Sequence, residues 1–343
     1  MLILAGDVGG TKTLLGLYDA LGTKLYGRRF ENAGRQGLLD LLQEFWADLR
    51  ARGLGRPERA VFGVAGPVQD VAPGQQRARI TNLAWDLDTT VLAEATGIGQ
   101  VRLVNDFHAV AAAVSAWATE VETGLVPDSL VPLAPGVRPL PGGTIAVLGA
   151  GTGLGEAALI RSGGAPVILP TEGGHVDFAP RDDIEIELLR FLQRRHGGHV
   201  SYERVLSGAG LLALYEFFRD RGEPTEAAAV RAEIEADPAQ GPAVISRHGL
   251  AGTDPLCTTA LDRFCRIYGA EAGNLALKFL ARGGVYIAGG IAPRILPRLQ
   301  DGSFLQSFLD KGRFRTLCSG IPVYVVVHPE AGLYGAAVLA RGL

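Results

Sequence analysis

The chain has 343 residues, enough for two separate cores, and its 33 Lys and Arg against 36 Asp and Glu leave a net charge of −3. That near balance offers no general attraction for nucleic acid or an anionic bilayer, so neither is expected as a partner. Glycine fills 47 positions, about twice the usual ~7%, but apolar residues reach 47% and there is no Gly-X-Y period, which excludes collagen and disorder.

Met1-Leu2-Ile3-Leu4 has no basic segment before it and meets Asp7 too soon for a signal peptide. The longest uncharged stretch, Pro139 to Gly155, is broken by two prolines and several glycines, so no membrane span is expected. Cys257, Cys265 and Cys318 are odd in number and form no Cys-x-x-Cys pair, which predicts reduced thiols rather than disulfides or a zinc knuckle. A cytoplasmic protein is expected.

In chain order, residues 2–5 and 14–18 are apolar runs around a turn-like Gly6 to Thr13, the pattern of a hairpin. Residues 36–53 carry Leu38, Leu39, Leu41, Leu42, Phe45, Trp46 and Leu49 at helical spacing. Strands are predicted at 60–64 and 101–104, the second stopping at Asn105-Asp106, and an Ala-rich helix at 107–118. Residues 127–143 hold five prolines and read as a loop. Strand 144–148, glycine turn 149–155 and strand 156–160 then repeat the design of residues 2–18, which suggests a duplicated architecture with a cleft. The last third reads as helical at 260–282, strand at 284–288 before Gly289-Gly290, strand at 321–327 and a small-residue helix at 331–340.

The glycine turns admit three readings. Gly6-Asp7-Val8-Gly9-Gly10-Thr11-Lys12-Thr13 is nearly a P-loop, but it has Thr11 where the motif needs Gly and is followed by a strand instead of a helix. Gly149-Ala150-Gly151-Thr152-Gly153-Leu154 has Leu154 where a dinucleotide fingerprint needs its last Gly, and a strand again follows. The third reading is a pair of hairpins whose backbone N–H groups form anion concavities. Ordinary tight hairpins are the plain alternative. On the anion reading Asp7 could hold a hydrated magnesium ion, which uses few protein ligands.

Asn105-Asp106 stands at the carboxyl end of a strand, where open α/β sheets bind ligands, although Asp106 could equally be a helix N-cap. Glu172-Gly173-Gly174-His175 and Glu203 add carboxylates and an imidazole, a set that suits the hydroxyls of a sugar. Glu203 could instead pair on the surface with Arg204 or Arg195, and His175 could be structural. An actin-like or chaperone-like ATPase would need the glycine turns and Asp7 but not this set, and a non-catalytic sugar sensor would keep the set without turnover.

Together, Gly6-Asp7-Val8-Gly9-Gly10-Thr11, Val104-Asn105-Asp106-Phe107, Gly149 to Gly155, Glu172 to Phe178, Glu203 to Gly208 and Gly289-Gly290-Ile291 resemble the bacterial glucokinases of the non-ROK group, within the hexokinase, actin and chaperone ATPase superfamily. The resemblance spans essentially the whole chain. It implies an α/β fold of two ribonuclease H-like domains flanking a cleft, residues 1–110 plus 328–343 and residues 111–327, usually as a homodimer. It implies ATP-dependent phosphorylation of glucose at its 6-hydroxyl, with Asp106 as base and with Asn105, Asp106, Glu172, His175 and Glu203 on the sugar. Gly6, Asp7, Gly9, Gly10, Thr11, Gly149, Gly151, Thr152 and Gly153 would serve the phosphates, Gly289 and Gly290 the adenosine, and Asp7 the Mg2+ through water. Lys12 stands where relatives tend to have Asn, and the zinc cysteines of ROK kinases do not follow His175, so no zinc is expected. Thirteen of the 47 glycines lie in these turns when Gly283 and Gly284, ahead of Gly289-Gly290, are counted with them, and the others are expected in loops and at element ends.

Overall fold

The structure is a computed structural model that describes residues 1–81, 83–161, 166–222 and 224–343. The chain divides into two compact units, residues 1–119 with 328–343 and residues 120–327.

In the first unit a hairpin of β1 (Leu2–Val8) and β2 (Lys12–Asp19) is extended on one side by β3 (Lys24–Glu31), all antiparallel. On the other side β4 (Arg59–Val64) runs parallel to β1, and β8 (Gln100–Asn105) parallel to β4, giving the order β3-β2-β1-β4-β8. The inserted strands β5 (Val68–Ala72), β6 (Gln75–Arg79) and β7 (Asp86–Asp88) form their own small sheet. Helix α1 (Leu38–Ala51) buries Leu38, Leu41, Leu42, Phe45 and Leu49, the 3–4 spacing that its sequence predicts. Helix α2 (Thr89–Thr96) starts on an Asp88 cap and ends at Gly97 in the left-handed conformation. Helix α3 (Asp106–Glu122) and the chain's last helix, α12 (Ala331–Arg341), pack on the sheet through Ile3, Ala5, Val61, Val104, Ala109, Leu333, Ala336 and Ala337.

The second unit repeats the plan. Antiparallel β10 (Ile145–Ala150), β11 (Leu154–Ile160) and β12 (Val167–Thr171) are followed on the other side of β10 by parallel β13 (Gly284–Ala288) and β14 (Val323–Val326). The edge is β9 (Leu130–Pro132), antiparallel to β14. This strand lies inside the proline-rich stretch expected to be loop: three residues paired by one neighbour leave no periodic signal in the sequence. Helices α4 (Asp183–His196), α5 (Gly208–Arg221), α6 (Ala228–Ala236) and α7 (Gly241–Ala251) precede α8 (Pro255–Lys278), which is capped by Asp254 and buried along most of its length. Short helices α9 (Leu296–Leu299), α10 (Ser303–Leu309) and α11 (Arg315–Ser319) cover the remaining side of its core. All three cysteines are buried free thiols, and among the described residues no helix is long and apolar enough to cross a membrane.

The glycines outside the turns are not confined to loops. Gly269 and Gly273 on α8 face the backbone of α10, where a Cβ would meet Phe304 Cα at 3.0 Å and Phe308 O at 2.5 Å. Gly335 on α12 faces α3, where a Cβ would lie 2.6 Å from the carbonyl carbon of Ala109 and 3.0 Å from the nitrogen of Ala113. These helices approach until backbone touches backbone. Gly335→Ala should therefore lower the unfolding free energy by about 1–3 kcal/mol. Urea denaturation measures it, and an unchanged midpoint with unchanged slope would show that the contact yields without cost.

Candidate active site

The residues singled out from the sequence fall into one cluster in each unit. In the first, Gly6 and Asp7 lie within β1, paired with Leu15 and Leu14, so the turn is shorter than expected and consists of Gly9, Gly10 and Thr11. A Cβ on Gly6 would run into the ring of Phe62, which explains the glycine by packing within the sheet. The turn itself is closed by Gly9 N donating to Lys12 O at 3.0 Å. Asn32 holds it from outside. Its Nδ2 donates to Gly9 O at 2.8 Å, its backbone N to Thr11 O at 2.9 Å, and its Oδ1 accepts from the buried Thr13 hydroxyl at 2.9 Å. Nothing local in the sequence marks Asn32, because its partners are 19 to 23 positions away.

Asn105 is the last residue of β8 and Asp106 the first of α3. Both carboxamide and carboxylate cap the helix: Phe107 N donates to Asn105 Oδ1 at 2.9 Å and to Asp106 Oδ1 at 2.8 Å. The capping alternative thus describes real bonds. Asp106 comes close to β1 because β4 carries Gly63 between them; a Cβ there would lie 3.7 Å from both Asp106 Cα and Gly6 O. Burial raises the pKa of Asp106, opposed by the amide of Phe107.

Asp7 is raised to about 6, first by burial and then by the charges of Asp106 and Glu330, with Lys12 acting the other way. Two carboxylates this near each other, both only partly exposed, are an unfavourable arrangement that a cation would relieve. Magnesium fits this donor set, since it takes oxygen ligands, retains waters and needs only one or two carboxylates. Gly332 of α12 backs Asp7 so closely that a Cβ would lie 3.0 Å from Oδ2.

In the second cluster Gly149 belongs to β10 and Gly155 to β11, leaving Gly151, Thr152 and Gly153 as the turn. Gly151 N donates to Gly153 O at 2.8 Å, and Gly208 N at the start of α5 donates to Gly151 O at 2.9 Å. Gly289, in the left-handed region at φ 82°, and Gly290 turn directly over the end of β10: a Cβ on Gly289 would lie 2.9 Å from Ala150 N, and one on Gly151 lies 3.9 Å from Gly290 N. The buried Tyr268 hydroxyl secures this junction, accepting from Ala150 N at 3.0 Å and standing 3.4 Å from Ala288 O. Its position in an apolar helix gave no sign of that role.

Glu172 precedes a 3-10 turn, Gly173–His175, and Glu203 sits in another, Tyr202–Arg204. The structure brings them together around the imidazole, with Glu203 Oε1 4.0 Å from His175 Nδ1 and Glu172 Oε2 3.9 Å from His175 Nε2. Glu172 is almost fully exposed and Glu203 only 29% exposed. Glu203 does not pair with Arg195, which binds Glu216 instead. Its Oε2 accepts from Leu154 N at 3.0 Å, immediately after the glycine turn, and occupies the place a Cβ on Gly153 would need. One carboxylate therefore serves both the His175 cluster and the hairpin.

A chain that builds the same five-strand plan twice, each time delivering a glycine hairpin at the end of its first strand, has the fold of the two-domain, hexokinase-like sugar kinases. The family model described as Glucokinase matches residues 4–343. The glucokinase of Nostoc punctiforme is 42% identical over 359 aligned positions, covering 100% of this chain and 99% of that protein. The crystal structure of glucokinase from an Antarctic psychrotroph superimposes with a TM-score of 0.81 at 30% identity, covering 100% and 99% of the two chains. A ROK family glucokinase from Streptomyces griseus, solved in complex with glucose and AMPPNP, shares the fold at a TM-score of 0.62 and 22% identity, covering 100% of each. The chain belongs to the glucokinase family and is an enzyme of that family.

Because Asp7 binds its proton more tightly in the folded chain, stability on its account is full below about pH 4 and is lost as pH rises through about 6, by up to about 3 kcal/mol. Asp7→Asn should be more stable than the parent at pH 8, and the gap should close toward pH 5. Added Mg2+ should narrow the gap at pH 8 by stabilising the parent alone. A difference in thermal midpoint that is the same at both pH values would refute the burial argument.

Proposed function

We propose that the chain phosphorylates glucose at the 6-hydroxyl with ATP, using Asp106 as general base. The observation that carries this reading is the double engagement of Glu203, whose carboxylate faces His175 with one oxygen and ties the Gly151–Gly153 turn with the other. Groups suited to sugar hydroxyls and backbone suited to phosphate are thereby held to each other by a single charged hydrogen bond. Glu172, His175, Glu203 and Asn105 would accept from or donate to the hydroxyls. The N–H groups around Gly9–Thr11 and Gly151–Gly153 would take the phosphates, and the Gly289-Gly290 turn would lie along the adenosine. ATP as donor and glucose as acceptor agree with the ligands of the Streptomyces griseus enzyme and with the family.

Asp106, with its raised affinity for a proton, would receive the 6-hydroxyl proton as the oxygen attacks the γ-phosphorus. A sugar alcohol is a weak acid, so this transfer matters late. Alignment supplies most of the acceleration in a loose phosphoryl-transfer transition state. Asp7 is the residue that would hold Mg2+ through water; when bound with ATP the ion neutralises charge on the phosphates. A homodimer and a cytoplasmic location belong to the same reading.

Asp106→Ala should lower kcat by about 10²–10⁴-fold with glucose still binding, and near-normal turnover would remove Asp106 from its role. Glu172→Ala should act on the glucose KM, raising it about tenfold or more by loss of a charged hydrogen bond. A coupled assay of ATP consumption with glucose, mannose, fructose, N-acetylglucosamine or no sugar tests the whole reading. Turnover is expected with glucose and not without sugar, whereas equal hydrolysis in its absence would favour an ATPase. Replacing ATP by ADP or polyphosphate should abolish product.

A further inference from the structure

A buried polar layer lies behind the two turns that carry Glu172, His175 and Glu203. Its central member is Glu156 of β11, 3% exposed although it is a carboxylic acid in a strand. Among the described residues its buried Oε1 has no hydrogen-bond partner, and its Oε2 fills the space in front of Gly173, where a Cβ would lie 2.8 Å from Glu156 Cδ. The loop is further tied to the same residue through Thr171, whose hydroxyl donates to Glu156 O at 3.0 Å and accepts from Gly173 N at 3.1 Å. Glu271 of α8, fully buried, continues the layer: Asn274 Nδ2 donates to it at 2.7 Å and Lys278 Nζ at 3.2 Å. Asn274 Nδ2 also reaches the hydroxyl of Tyr202, the neighbour of Glu203, at 3.2 Å, and Lys311 Nζ donates to Asn274 Oδ1 at 2.7 Å.

We propose that Glu156 is a positioning residue for sugar binding, its buried carboxyl forming the support against which Gly173 rests and so fixing where Glu172 and His175 stand. The inference rests on the reading of Glu172 and His175 as sugar contacts. Two features argue against a merely structural part. A core position needs no ionisable group, and an acid with one buried oxygen unpartnered is a costly way to fill space. The contact is also made to the backbone of the loop itself, at a glycine whose Cβ would collide with that carboxyl.

The support is sensitive to charge. Burial, followed by the charge of Glu271, raises Glu156 to about 7, and Lys278 opposes this from the same helix. Tyr268 of α8 also feels it: its hydroxyl is pushed up chiefly by burial and, last among the causes, by Glu156. Tyr202 and Lys311 reach the layer from their own segments through Asn274 and Glu271, and Arg181 acts on both of them. Below about pH 7 the carboxyl is neutral and can lie against the loop; above it a second buried negative charge appears beside Glu271. The loop should then be displaced, and sugar affinity should fall as pH rises.

Glu156→Gln keeps the shape and removes the charge. The ratio of the glucose KM of the parent to that of E156Q should rise about three- to tenfold between pH 6 and pH 8.5, with kcat little changed. His175 is present in both proteins, so the ratio isolates Glu156. The thermal midpoint of E156Q should gain on the parent over the same interval, because the parent loses stability as pH rises through about 7. A second route does not depend on that variant. Gly173→Ala should raise the glucose KM, and Glu156→Ala added to it should recover part of that loss by removing the main collision. A pH-independent KM ratio, or a double variant no better than Gly173→Ala, would overturn the inference while leaving the glucokinase reading intact. That reading fails separately, if Glu172→Ala leaves the glucose KM unchanged.

Discussion

The interaction that holds the second unit's candidate site together is the hydrogen bond from Leu154 N to Glu203 Oε2. A phosphate turn made of backbone amides can carry no side chains on its inner face, so it must be held from outside by groups that come from elsewhere in the fold. Glu203 does this for the Gly151–Gly153 turn, assisted by Gly208 N and by the Tyr268 hydroxyl behind Ala150. Asn32 does the corresponding work for Gly9–Thr11 in the first unit, with a neutral amide in place of a carboxylate. Five strands follow the same order in both units, with β9 added at the edge of the second, so each turn projects from the end of β1 or β10, beside the end of its parallel neighbour β4 or β13.

Both units accept electrostatic costs next to these turns. Asp7 is pressed toward Asp106, and Glu156 toward Glu271, each pair within a few side chains of a proposed binding residue. Carboxylates in such places bind protons more tightly than in water and so lower the stability of the folded chain at neutral pH. The two pairs have different remedies. Asp7 is partly exposed, where a cation could share the charge, whereas Glu156 is enclosed and is relieved only by keeping its proton below about pH 7.

Glycine also separates into two uses. At Gly153, Gly173 and Gly289 it admits a carboxylate or a backbone group that a Cβ would exclude, close to the proposed chemistry. At Gly269, Gly273 and Gly335 it lets helices meet backbone to backbone. The composition alone suggested turns; the helix contacts account for positions that turns do not explain. Interhelical approach leaves no local pattern, because a glycine in a helix looks the same whether it faces a partner or solvent.

Local order was readable along the chain wherever the neighbours in sequence are also the neighbours in space. The hairpins, the apolar face of α1, the strand ends at Asn105 and Gly289 and the repeated strand-turn-strand design all follow from period and turn chemistry. The types of group needed for phosphate and sugar were also present in short motifs. What only the tertiary structure decided is which of these groups meet: Glu203 with the glycine turn 49 residues before it, Asn32 with Gly9, Tyr268 with Ala150, Glu156 with Gly173 and with Glu271. The turn lengths were overestimated for the same reason. Gly6, Asp7 and Gly149 look like turn residues in isolation, yet pairing with β2 and β11 draws them into strands, since the ladder's hydrogen bonds outweigh the weak local preference of glycine.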